Sequence, residues 1–136
     1  MSLESAHQRA QLWLRQARDD LKAAQVLQRA GQAAQSCFQS QQVGEKALKA
    51  LLAAEDRDLR SHSLTALLKA IGGEIEEPRQ RQARLLDKLY APTRYPDALG
   101  DEVPADVFGP EDSESALQAA SELLDWATNR LNKPFQ

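Results

Sequence analysis

Arg94 lies between Pro92 and Pro96, with Tyr90 and Tyr95 on either side of it in the chain. Proline fixes φ and stiffens the backbone around it, so this guanidinium is offered from a restrained loop. A guanidinium among phenol rings suits a phosphate and a nucleobase, the first through charge-assisted hydrogen bonds and the second through stacking. The competing arrangement is an ion pair with Asp97 or another acid that simply pins the loop. Upstream, Arg81, Arg84 and Lys88 recur at three and four residues, which places them on one stripe of a helix. That stripe borders a Leu85/Leu89 face and leads toward Arg94. It reads either as a track for phosphates or as an ordinary solvated face.

A second set of polar residues sits where a core should be continuous. At about 100° per residue, Cys37, Gly44, Leu48, Leu51 and Leu52 fall on one helix face. Gln41 falls among them and Glu45 at their edge. Asp20 likewise falls within the apolar arc formed by Trp13, Leu14, Ala17, Leu21, Ala24 and Leu27. A buried amide or carboxylate must find partners or cost a few kcal/mol, on the order of 1–3. Asp20, Gln41 and Glu45 therefore form an internal polar network or line one pocket with His62 or Arg94. His7, near the amino terminus, carries little information. The two histidines and one cysteine show no ligand spacing, so no metal is expected. There is no glycine-rich phosphate loop and no nucleophile motif, so no cofactor is expected either.

The elements that must position these residues are helical. The first is expected from about Leu3 to Ala30, stopped by Gly31, and the second from about Gln32 to Ala54. A short third helix starts at Ser63, carries Leu64, Leu67, Leu68 and Ile71, and ends at Gly72–Gly73. A fourth runs from Glu77 or Pro78 to Tyr90. Residues 91–110, with Pro92, Pro96, Pro104 and Pro110 among glycines and acids, read as an ordered, non-helical loop. Connections of that length are more often functional than idle. The last helix begins near Pro110 and repeats Ala116, Leu117, Ala120, Leu123, Leu124, Ala127 and Leu131. Nothing alternates with period two. The expected fold is all-α: an antiparallel up-down bundle of four main helices plus a short helix, in a single domain over residues 1–136.

Composition excludes several classes. The chain has 136 residues, 42% hydrophobic and 27% charged, and a formal charge of −3. That balance suits one soluble core and argues against a surface that coats nucleic acid generally. A single Cys37 excludes an internal disulfide. No apolar run approaches the ~20 residues that span a membrane. The first seven residues lack the features of a secretory signal, so a cytoplasmic location without membrane contact is expected.

Four segments together resemble the HEPN domain family. They are Trp13, Ala17, Asp20, Leu21 and Ala24; then Cys37 and Phe38 through Gln41, Gln42 and Glu45 to Leu52; then His62, Ser63, Leu64, Leu67 and Leu68; and last Leu89 to Ala98. One departure is Gly44, where alanine would be usual. Glycine there costs ~1 kcal/mol, which points to the close approach of another helix. The resemblance implies a bundle that commonly forms a homodimer. It also implies association with a nucleotidyltransferase, in some members as a toxin–antitoxin pair, and a nucleotide or RNA as ligand. Ribonuclease members carry an Arg followed by four to six residues and a His in the segment before the last helix. Here that segment corresponds to Arg94 through Gly100 and has no His. The literal match, Arg57 to His62, lies between the second and third helices instead. The expected function is therefore a nucleotide- or RNA-binding accessory subunit with little or no intrinsic ribonuclease activity. The alternatives are a metal-independent endoribonuclease toxin, for which His62 must come beside Arg94, and a ligand-free dimerisation module.

Overall fold

In the computed structural model, which describes residues 2–133, the chain is an all-α bundle. Helix α1 spans Leu3–Arg29 and opens on Ser2, whose hydroxyl accepts from the Ser5 N–H at 3.1 Å. Gly31, at φ +79°, turns the chain out of α1, and Gln32 leads directly into α2, Ala33–Ala54. So short a connection folds α2 back along α1. Ala6, Ala10, Leu14, Ala17 and Ala24 form the buried side of α1.

Helix α2 is the central element. It packs against α1, α3 (Leu64–Ile71), α4 (Glu77–Asp87), α5 (Pro104–Val107) and α6 (Pro110–Asn132). Most of its residues are buried, many of them small, including Ala34, Ser36, Ala47 and Ala50. A helix surrounded in this way is buried beyond a single stripe, so its polar residues need partners inside the bundle. Ser36, fully buried, is satisfied by donating its hydroxyl to the Ala24 carbonyl at 2.7 Å.

Gly44 explains itself inside the chain. A Cβ at this position would lie 2.5 Å from Leu64 Cδ2, 2.9 Å from Leu86 Cδ1 and 3.6 Å from Leu123 Cδ1. Three helices, α3, α4 and α6, thus converge on the one position of α2 that has no side chain.

Two expected boundaries are corrected. Helix α4 ends at Asp87, not Tyr90. The Lys88 and Leu89 N–H groups both donate to the Leu86 carbonyl, and the chain leaves in tight turns. The segment expected to be non-helical contains a single 3-10 turn, Pro96–Leu99, and the one-turn helix α5. Each opens on a proline, whose fixed φ suits a first helical position and whose missing N–H would be unpaired there anyway. Among the described residues no helix is long and apolar enough to cross a membrane.

Candidate functional site

Helix α2 presents Phe38, Gln41, Gln42, Glu45 and Lys49 along one edge, at three- and four-residue spacing. Glu45 is 4% exposed and is met by three donors. They are Lys49 Nζ at 3.1 Å from Oε2, and His62 Nδ1 and Gln41 Nε2 at 3.1 and 3.3 Å from Oε1. Gln41, fully buried, also donates to the His62 carbonyl at 3.0 Å and accepts from Gln42 at 2.8 Å. A carboxylate can only accept, so His62 offers its Nδ1 proton to Glu45 and turns Nε2 outward. That outer nitrogen has no hydrogen-bond partner among the described residues, and the side chain is 60% exposed.

The His62 ring stacks on Tyr90 with centroids 4.5 Å apart and planes inclined by 19°. Arg94 rests on the same tyrosine. Its guanidinium carbon lies 4.3 Å from the Tyr90 centroid, 4.4 Å from Phe38 and 4.7 Å from Tyr95. Arg94 Nε donates to the Tyr90 carbonyl at 2.9 Å and Nη1 to the Tyr95 hydroxyl at 3.3 Å. Thr93, buried, donates to the Leu89 carbonyl and closes the turn that carries the arginine. No carboxylate pairs with Arg94 among the described residues. Asp97, exposed on the 3-10 turn, makes no ion pair with Arg94, so it does not pin the arginine. Three aromatic faces hold this cation by its quadrupole attraction while leaving its charge uncompensated.

A clamp below the cluster fixes its halves. Asp87, the last residue of α4, accepts from the Leu64 N–H at 2.6 Å, the Thr65 N–H at 3.1 Å, the Thr65 hydroxyl at 2.6 Å and the Ser63 hydroxyl at 3.3 Å. A carboxylate at a helix N-terminus is favoured by the free N–H groups and the dipole. The result ties the first turn of α3, just after His62, to the end of α4, just before Tyr90.

The structure therefore brings together His62, Glu45, Gln41, Tyr90, Tyr95 and Arg94. It separates Asp20, which binds Lys46 at 2.5 Å and Gln16 at 2.9 Å between α1 and α2. The expected single network is thus two. Arg57 and His62 do not form a pair: Arg57 reaches Glu55 at 3.8 Å, whereas His62 turns to Glu45 and Tyr90. The α4 stripe is exposed, with Arg84 bound to Glu77 at 2.8 Å and Arg81 and Lys88 facing solvent. Leu85 is not core but 37% exposed, because Ala83 and Leu86 take the inward positions. Sequence reasoning missed Phe38 and Asp87. Phe38 was legible as the aromatic three residues before Gln41 and seven before Glu45. Asp87 had no local signal, since the helix that it caps begins 23 residues earlier.

Comparison with known proteins agrees with this architecture. A protein named "Putative toxin MJ1304" from Methanocaldococcus jannaschii is 27% identical over 137 residues, covering 93% of this chain and 90% of its own. The crystal structure of TT1696 from Thermus thermophilus is similar at a TM-score of 0.87 and 36% identity, over 90% of this chain and 98% of that one. The structure of ST0689, an archaeal HEPN homologue, matches at 0.78 and 30% identity with the same coverage of 90% and 98%. An HEPN domain protein of Thermotoga maritima matches at 0.73 and 25%, again over 90% and 98%. With the HEPN domain model matching residues 10–131 as well, the chain belongs to the HEPN domain family.

Proposed function

We propose that the Arg94 cluster binds the phosphate of a nucleotide or RNA, and that the chain acts as the binding subunit of a toxin-type pair with a nucleotidyltransferase. One observation carries the ligand reading. Arg94 is held by three rings and two hydrogen bonds yet has no carboxylate partner among the described residues. A partly buried cation left without a counter-charge favours an incoming anion, and the exposed Tyr95 ring offers a face for a base. The toxin-like part is supported by the family and by the name of the archaeal relative. The nucleotidyltransferase partner follows from the family resemblance, and co-purification with the product of a neighbouring gene would test it.

Calorimetric titration with AMP tests the ligand reading. Arg94→Ala should weaken binding at least about tenfold, the loss of a charge-assisted contact, while the domain stays folded with a small drop in melting temperature from the lost ring contacts. A large drop in melting temperature with unchanged affinity would make Arg94 a structural residue.

A second reading, ribonuclease, is favoured by one specific feature: His62 and Arg94 share Tyr90, and Glu45 leaves the outer His62 nitrogen free to take a proton. That nitrogen would accept the 2′-hydroxyl proton while Arg94 stabilises the phosphorane. The leaving 5′ oxygen also needs a proton, and the cluster offers only phenols, which give protons poorly at neutral pH. Binding therefore remains the first reading. RNA cleavage in chelator that is lost in both His62→Ala and Arg94→Ala would reverse the order.

A further inference from the structure

Where the end of α2 and the turn after it meet α1 lies a pocket of about 370 Å³ that shares no lining residue with the Arg94 cluster. Its floor is Leu52 and Ala53, both buried, and its apolar walls are the half-buried Trp13 and Leu59. The turn is held by its own bonds. Asp56 takes a left-handed φ of +56°, which aspartate tolerates, and its carboxylate accepts from Arg9 Nη2 at 2.6 Å. The Asp56 and Arg57 N–H groups donate to the Ala53 and Leu52 carbonyls at 2.9 Å each.

Both signs of charge face this pocket with capacity to spare. Lys49 lines it with a side chain only 16% exposed. An ammonium carries three N–H groups, and among the described residues Lys49 makes its hydrogen bond to Glu45 alone. Arg57 reaches Glu55 at 3.8 Å, a long contact between exposed groups that contributes little. Asp58, next in the chain, has no hydrogen bond or ion pair among the described residues. The C-terminus of α2 adds negative potential, and its last turn holds no basic residue to offset it. A simple anion would therefore meet Asp58 and that helix end, and a simple cation would meet Lys49, Arg9 and Arg57. A zwitterion satisfies both. Arg57 and Asp58 are consecutive, with Cα atoms about 3.8 Å apart, and both line the pocket, so a cation and an anion are offered side by side. That arrangement suits an ammonium and a carboxylate carried on one carbon, with the apolar surface left for a further substituent. We propose that this pocket binds a free α-amino acid with an apolar or aromatic side chain. Its carboxylate lies at Lys49 and Arg57, its ammonium at Asp58, and its side chain against Trp13 and Leu59.

The test is calorimetric titration with L-phenylalanine, L-leucine and two analogues that each lack one charge, phenylpropionate and phenylethylamine. Both amino acids should bind, and each analogue should bind at least about tenfold more weakly than phenylalanine, the loss of a charge-assisted contact. Asp58→Asn should weaken phenylalanine several-fold and spare phenylpropionate. Arg57→Gln should weaken phenylalanine and phenylpropionate and spare phenylethylamine. Both side chains are exposed, and circular-dichroism melting checks that the variants fold. Lys49 is left in place because it also holds Glu45, and through it His62. In nuclear magnetic resonance the Trp13 indole N–H should shift on addition of phenylalanine while that of Trp126, on α6, stays still. Arg94→Ala should bind phenylalanine as the parent does, so this proposal and the phosphate reading fail separately. No binding at millimolar concentration, analogues as tight as phenylalanine, or affinity unchanged in both folded variants would overturn it.

Discussion

At the scale of single residues, Glu45 connects the buried interior to the exposed site. Its carboxylate is enclosed on α2 and ends in His62, whose ring carries the network to Tyr90 and Arg94. Glu45→Ala should leave Lys49 without its carboxylate and Gln41 with only the His62 carbonyl as acceptor, at a cost of about 3 kcal/mol, read as a lower urea midpoint. Cys37 shows the opposite behaviour. Burial, with the Asp112 carboxylate adding to it, pushes its thiol from 9.0 up to about 12. The folded chain then holds the proton that the unfolded chain releases, so stability is undiminished below pH 9.0 and falls as pH rises toward about 12. Cys37→Ala should flatten that decline, and native Cys37 should react slowly with Ellman's reagent at pH 8, because the thiolate is the reactive form. Arg94, Tyr90 and Tyr95 were legible as chemistry because prolines and aromatics surround the arginine in sequence. That His62 belongs with them was not legible, because the contact depends on how α3 and α4 dock.

At the scale of elements, two features set the site. The first is Gly44. Alanine there would gain ~1 kcal/mol of helix propensity but drive a methyl into Leu64 and Leu86, both fully buried. Overpacking of that kind costs ~1–3 kcal/mol, so Gly44→Ala should be net destabilising by ~1 kcal/mol in urea unfolding. The second is Asp87. Asp87→Ala removes the acceptor for the first turn of α3 and should cost ~1–2 kcal/mol, the scale of a lost cap. It should also weaken AMP binding, because His62 then loses its register against Tyr90. The helices were readable from their three-and-four periodicity, and the ends of α1 and α2 from Gly31 and Ala54. The end of α4 was not. Its apolar period continues through Leu89, but Asp87 serves α3 and the backbone turns at Lys88. The two proline-led turns after Tyr95 were hidden for a similar reason: one turn is too short to show a period.

For the whole molecule, the polar and small residues of α2 are largely satisfied within one chain. Gln41 is satisfied by His62 and Glu45, Gly44 by the convergence of three helices, and the alanines of α2 by α1 and α6. The homodimer is therefore a proposal resting on the family resemblance, and sedimentation equilibrium at micromolar concentration checks it, with a dimer expected and a monomer counting against it. The net charge of −3 makes any anion-binding surface local, so ligand affinity should fall as salt rises. The central claim is that His62, Tyr90 and Arg94 form one phosphate site. Its most direct test is a nuclear magnetic resonance titration of the labelled protein with AMP. The His62 ring, the Arg94 guanidinium and the backbone amides from Tyr90 to Tyr95 should shift together and saturate at one affinity, while the Asp20–Lys46 pair stays still. Saturable shifts centred elsewhere, with His62 and Arg94 unmoved, would contradict it.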